Sequence, residues 1–120
     1  MATSVSHRVL VVEDHVDSAE VLAAYLRALG HEVAVAGDAE AALEIARALT
    51  PSVVILDIGL PTMDGIELAR LLRTSLGPTA RLFAASALSD DGVRARARDA
   101  GIEHYFVKPL PLAVLAAKLG

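Results

Sequence analysis

Residues 52–57 read SVVILD, four aliphatic side chains in a row between a serine and an aspartate. A run this short is too brief for a helix. Its lack of polar alternation marks a strand buried on both faces, as in a parallel sheet. Asp57 ends the strand. Residues 58–65 (IGLPTMDG) then read as a loop, with Pro61 and Gly65 as turn residues and Asp64 as a helix cap. A helix follows from about Ile66 to Ser75. On the other side, Asp38 caps a helix running to about Ala48, and Pro51 closes the connection back to the strand.

The same unit recurs along the chain. Residues 8–13 (RVLVVE) form a strand, and residues 16–29 carry apolar side chains at 19, 22, 25, 26 and 29, which is helical spacing. Gly30 stops that helix. Residues 31–36 (HEVAVA) alternate as a strand does. Arg81 to Ala85 is a fourth strand, Ser89 to Ala100 a polar helix stopped by Gly101, Tyr105 to Val107 a short fifth strand, and Leu112 to Leu119 an apolar last helix. Strands separated by helices imply parallel pairing through right-handed crossovers. The expected fold is α/β: one three-layer, doubly wound parallel sheet of five βα units over residues 1–120, in the flavodoxin-like order 2-1-3-4-5. Ligands of such sheets sit beyond the carboxyl ends of the strands, where strands 1 and 3 part.

Composition narrows the function. A hydrophobic fraction of 54% supports a packed core, and the absence of cysteine excludes disulfides and thiolate metal sites. A cytoplasmic, reducing setting is expected. There is no cationic-then-apolar leader at the start of the chain and no unbroken apolar stretch of membrane length. With a net charge of −4 and 3% aromatic residues, basic and aromatic side chains do not cluster, so no nucleic-acid contact is expected.

Glu13 and Asp14 end the first strand and Asp57 the third, so the fold brings three carboxylates together. Like charges 4 Å apart repel by about 4 kcal/mol at an effective dielectric near 20. Such a cluster calls for a cation, and its oxygen donors suit Mg²⁺. The plainer alternative is that each acid caps the helix after it. Lys108, before Pro109, ends the fifth strand, and Ser86 follows the fourth. A nucleophilic carboxylate, a metal, a lysine and a hydroxyl around one point make a phosphoryl-transfer site. His7, His15, His31 and His104 share no ligand spacing and read as surface or loop residues, with His15 near enough to the acids to tune them. The run GVRARARDAG reads as a solvated helix face.

The segments VVEDHVDSAEVLAAYL (residues 11–26), VVILDIGLPTMDGIELARLLR (53–73) and AGIEHYFVKPL (100–110) together resemble the receiver domains of bacterial response regulators and hybrid histidine kinases. The likeness covers Arg8 to Leu119. It implies that Asp57 is the phosphoacceptor and that Glu13, Asp14, Asp57 and the Gly59 backbone carbonyl hold Mg²⁺. It implies further that Lys108 pairs with the phosphoryl group, that the Ser86 hydroxyl moves onto it, and that the Ala87 amide donates to it. Tyr105 matches an aromatic switch residue, expected to turn inward when Ser86 moves and so to alter the surface of helix 4, strand 5 and helix 5. The resemblance, with the sharp turn after Lys108, implies a cis Lys108–Pro109 bond. The partner would be a histidine kinase or a histidine phosphotransfer domain. The chain would catalyse only its own phosphorylation and slow dephosphorylation. Gly59 brings no side chain to the site and Leu88 is apolar; both flank the path of an attacking water, which leaves the lifetime of the phosphoryl group open.

Three other readings of the same residues stand beside it. An Asp-nucleophile phosphatase of the haloacid dehalogenase type needs a second acid two residues after the nucleophile, where Gly59 stands. A flavin carrier needs a phosphate loop after the first strand, where EDHVD would repel one. A degenerate receiver that only binds proteins would not need every chemical position filled. The last helix (PLAVLAAKLG) has no acid to pair with Arg94, Arg96 or Arg98, so a salt-bridged dimer is not expected and a monomer is. The LDIGLPTMDG and HYFVKPL segments are similar in style to receivers appended to hybrid kinases.

Overall fold

A computed structural model describes residues 6–59, 64–87 and 91–119. Five strands, β1 (Arg8–Val12), β2 (Glu32–Ala36), β3 (Val53–Asp57), β4 (Arg81–Ser86) and β5 (Ile102–Val107), alternate with five helices. These are α1 (Val16–Ala28), α2 (Ala39–Leu49), α3 (Gly65–Leu76), α4 (Asp91–Asp99) and α5 (Leu112–Leu119). All strand pairs are parallel, in the order β2-β1-β3-β4-β5. The doubly wound fold is the one expected. Among the described residues no helix is long and apolar enough to cross a membrane.

The pleat of the sheet sorts its side chains into two cores. Leu10, Val54, Leu56, Leu82 and Ala84 face α2, α3 and α4, where Ala42, Ala46, Leu68, Leu72 and Ala97 meet them. Val9, Val11, Ile55, Phe83 and Ala85 face α1 and α5, against Leu22, Leu26, Leu115 and Leu119. Both faces are covered, which explains why β1, β3 and β4 read as unbroken apolar runs. α4 differs from the other helices: of its nine residues only Ala97 is buried.

Local signals fix the connections. Asp38 caps α2 by accepting from the Ala41 amide at 2.8 Å, and Asp64 caps α3 by accepting from the Ile66 amide at 2.9 Å. Asp64 also receives Arg96 of α4 at 2.9 Å, so the run GVRARARDAG is not wholly given to solvent. Arg73, in the last turn of α3, donates to the carbonyls of Gly77, Ala80 and Gly101.

Three expectations need correction. β5 starts at Ile102, not Tyr105, because the ladder slips: Leu82 pairs with Ile102, but Phe83 pairs with His104, and Glu103 is skipped. The bulge inverts the inside–outside parity along the strand, so IEHYFV does not alternate. Of the four histidines, His7 and His15 stand in connections and His15 is exposed, as expected, whereas His31 is buried and His104 lies on β5. His31 is 8% exposed, His104 stacks on Phe83 at 5.9 Å, and His15 is the N-cap of α1, its Nδ1 accepting from the Ser18 amide at 3.2 Å. Gly65, expected as a turn residue, opens α3 instead. Leu60 to Met63 and Leu88 to Asp90 lie outside the described residues, so the expectations for Pro61, Leu88 and Ser89 fall there.

Candidate phosphoryl-transfer site

The carboxyl ends of β1, β3, β4 and β5 form one edge, and the residues singled out in the sequence meet there. Glu13 follows β1, and its amide donates to the Ala36 carbonyl at 3.0 Å, extending the ladder by one residue before the chain turns away. Asp14 is exposed, whereas Glu13 and Asp57 are half-buried. Glu13, Asp14 and Asp57 each offer a carboxylate oxygen within 4.8 Å of the others. Hard oxygen donors at this spacing fit a small divalent cation such as Mg²⁺.

Lys108 reaches into this cluster from the end of β5. Its Nζ donates to Glu13 Oε1 at 2.6 Å and to Asp57 Oδ2 at 3.0 Å. Burial pulls its pKa down, but the hydrogen bonds to Glu13 and Asp57, and their charges, outweigh that; the ammonium is held above its ordinary 10.5. The Lys108 amide donates to the Ser86 carbonyl at 2.8 Å, locking the ends of β4 and β5 together. The Lys108–Pro109 peptide is cis, as expected.

The remaining side of Asp57 is set by the chain after it. Asp57 Oδ1 accepts from the Gly59 amide at 2.9 Å. Gly65 opens α3 directly against this turn, its amide donating to the Ile58 carbonyl at 3.0 Å. A Cβ there would lie 2.5 Å from Ile58 Cα and 2.8 Å from the Asp57 and Ile58 carbonyl oxygens. Glycine is therefore required by a close approach of backbones, more than by a turn. The sign of this in the sequence is a glycine in the first turn of a helix, where propensity disfavours it.

Ser86 ends β4 and is 2% exposed; Ala87, just beyond, is exposed. Ala84 pairs with Tyr105 and Ser86 with Val107, so Ser86 and Tyr105 lie on the same face of the sheet, two ladder positions apart. Tyr105 is half-buried, and the Arg94 guanidinium of α4 sits over its ring at 4.9 Å. Sequence reasoning missed this stacking. It missed also that the His15 amide donates to Glu13 Oε2 at 3.1 Å, which steadies one carboxylate of the cluster. Beside the site an apolar cavity of about 360 Å³ opens between α1 and the sheet, lined by Val21, Leu22, Ile55 and Leu110, with Asp57 and Lys108 among its lining residues.

A family model described as response regulator receiver domain matches residues 9–120. The chain is 37% identical over 112 residues to the DNA-binding response regulator MtrA of Mycobacterium tuberculosis (strain H37Rv), covering 93% of this chain and 48% of that protein. It thus spans about half the length of the curated relatives it matches. The BeF₃-activated N-terminal receiver domain of Klebsiella pneumoniae RstA is 31% identical and superposes with a TM-score of 0.84, covering 93% of this chain and 94% of that one. A Burkholderia pseudomallei response regulator with a phosphorylated aspartic acid, a calcium ion and citrate is 26% identical, with a TM-score of 0.87, covering 94% of this chain and 66% of that one.

Proposed function

This chain belongs to the response regulator receiver domain family of two-component signalling, and on that premise we propose that Asp57 is its phosphoacceptor. The supporting observation is the meeting of Glu13, Asp14 and Asp57 within 4.8 Å, bridged by Lys108. The donor would be a phosphohistidine on a histidine kinase or histidine phosphotransfer domain. An Asp57 oxygen attacks phosphorus, the O–P bond forms as the P–N bond breaks, and the electron pair left on the imidazole nitrogen takes up a proton.

Glu13, Asp14 and Asp57, with the Gly59 carbonyl, would hold Mg²⁺, which when bound neutralises charge on the transferred oxygens. Lys108, which donates to Asp57 Oδ2, gives a second positive charge beside the acceptor. Ser86 and the Ala87 amide are the donors for the remaining oxygens. On this reading the domain acts on itself alone, taking the phosphoryl group and losing it slowly to water. The added charge of roughly −1.5 to −2 draws Ser86 towards it, and Tyr105 turns into the space that Ser86 leaves. A cytoplasmic, monomeric module with no nucleic-acid contact of its own fits this role, and a hybrid kinase is the parent we favour. MtrA is named as DNA-binding, but this chain aligns with only 48% of it.

Treatment with acetyl phosphate and Mg²⁺, followed by intact mass measurement, tests the proposal. Wild type should gain the mass of one phosphoryl group and Asp57→Asn none, since an amide is not a nucleophile. A wild type that gains nothing would make the domain a protein-binding module only. An adduct that persists on Asp57→Asn would move the acceptor elsewhere, with Ser86 the first suspect.

A further inference from the structure

The amino ends of the strands form the pole opposite Asp57, and two histidines are built into it. His31 precedes β2, is 8% exposed, and its Nδ1 accepts the His7 amide hydrogen at 3.0 Å. The His7 carbonyl in turn accepts from the Glu32 amide at 3.0 Å, so the lead into β1 is pinned to the start of β2 by one side-chain bond and one backbone bond. The His7 ring spans two further elements. Its Nε2 lies 2.7 Å from the Leu119 carbonyl at the end of α5, and its Nδ1 lies 3.1 Å from Ser52 Oγ ahead of β3. A carbonyl only accepts, so Nε2 carries a hydrogen and donates. Ser52 Oγ both donates and accepts, so the His7 ring keeps both bonds whether neutral or protonated.

His31 has no such freedom. A protonated Nδ1 would face the His7 N–H with a hydrogen of its own, and the ring centroids of the two histidines are 5.5 Å apart. Burial first, and then the charge of His7, hold His31 below its ordinary value of 6.5. Among the described residues, other charged side chains at or near this pole include Arg27 at the end of α1, Arg8 on β1, Glu32 on β2, Lys118 on α5, Arg73 at the end of α3, and the Arg81–Glu103 pair of β4 and β5. Arg27 donates to the Val33 carbonyl and Arg8 to Thr50, while Glu32 is exposed.

We propose that His31 is a proton-operated clasp. Neutral, it holds the His7 amide. When the Nδ1 lone pair takes a proton from solvent, that bond is lost and the lead into β1 comes away, carrying with it the end of α5 that the His7 ring holds. Acid would thus loosen the exit of α5 while leaving the strand ends around Asp57 in place. Because the folded state binds this proton less readily than the unfolded one, opening should grow by up to about tenfold per pH unit below about 6.5.

Amide exchange of the whole chain, corrected for intrinsic rates, reads the clasp directly. Between about pH 7.5 and about pH 5.5 the His7 and Glu32 amides of wild type should lose protection by up to about tenfold. In His31→Asn the amide oxygen stands close to where Nδ1 stood and accepts at every pH, so that acid-dependent loss should vanish. Equal loss in wild type and His31→Asn would overturn the proposal. Nitrogen shifts of the wild-type ring give a test that needs no variant. Nδ1 should be the bare nitrogen at neutral pH, and the titration midpoint should lie below 6.5. A proton on Nδ1, or a midpoint at 6.5 or above, would equally sink it.

Discussion

Lys108 Nζ lies 2.6 Å from Glu13 Oε1, although 95 positions separate the two residues in the chain. The same ammonium reaches Asp57, so in the metal-free protein a lysine does part of the neutralising that a divalent cation would do. Its raised pKa puts the sign of this contribution beyond neutral pH: it is fully present below 10.5 and is lost only as pH rises through the folded value.

Lysine and Mg²⁺ should therefore compete for the same carboxylates. At ten times its Kd, Mg²⁺ should stabilise wild type by about 1.4 kcal/mol, a rise of about 5 °C in Tm. Lys108→Met should lower stability in EDTA by about 1–2 kcal/mol by leaving Glu13 and Asp57 facing each other, and its gain on adding Mg²⁺ should exceed that of wild type. Asp14→Asn should shift both quantities the other way, more stable without metal and less responsive to it. Thermal melts of the three proteins with EDTA or millimolar Mg²⁺ measure this; identical Mg²⁺ increments would refute the competition.

Gly65→Ala should be costly despite the better helix propensity of alanine. The new methyl would meet backbone at 2.5–2.8 Å, and backbone has no rotamer with which to yield. Overpacking of this kind costs about 1–3 kcal/mol, against a propensity gain of at most about 1 kcal/mol. Urea denaturation should show a net loss, and the displaced Asp57 carbonyl should slow phosphorylation by acetyl phosphate as well. A variant as stable as wild type would mean that α3 can shift away freely.

Asp64 should lend stability with a defined acid limit. The Ile66 amide holds its carboxyl below the usual 3.8, burial opposes this, and Arg96 adds to the lowering. A depressed carboxylate stabilises above its unfolded value, and the contribution fades as pH falls through the folded one. Asp64→Ala should thus cost about 1 kcal/mol at neutral pH, with the difference from wild type constant down to about pH 4 and shrinking below. Arg96→Ala, which breaks only an exposed pair, should cost less than about 1 kcal/mol. Chemical denaturation across pH separates the two.

Arg94 should oppose the inward rotation of Tyr105, because its guanidinium rests on the ring and a cation over an aromatic face at an exposed site is worth about 0.5–1 kcal/mol. Beryllofluoride, a phosphoryl mimic, should shift the Tyr105 ring and α4 amide resonances of wild type. Arg94→Ala should reach the same end state at lower beryllofluoride concentration. If Tyr105 and α4 keep their shifts while the neighbours of Asp57 and Ser86 move, no such coupling exists.

The sheet order and the meeting of Glu13, Asp14, Asp57, Ser86 and Lys108 were legible because each depends on a local pattern. Apolar runs mark the strands, and a polar residue at a strand's carboxyl end falls on the same edge whatever the packing details. What stayed hidden depends on contacts between distant segments. Gly65 looked like a turn residue because nothing local reveals the Ile58 backbone pressed against it. His31 looked superficial because its partner amide, at His7, is 24 positions away. β5 was cut short because its parity reverses at Glu103, which cuts Ile102 off from the alternation that follows.

That reversal bears on how the domain behaves in a crowded solution. β5 is the last strand in the sheet order, and among the described residues no strand pairs with its outer side. Such a border invites a strand from another molecule to add to it. The incoming strand would need a straight ladder, and the skipped residue interrupts it near the start of β5. Arg81 grips both carboxylate oxygens of that residue, Glu103, at 3.0 and 2.6 Å, which holds the irregularity in place. The kink that spoils the reading of the strand thus also guards the sheet against growing into its neighbours.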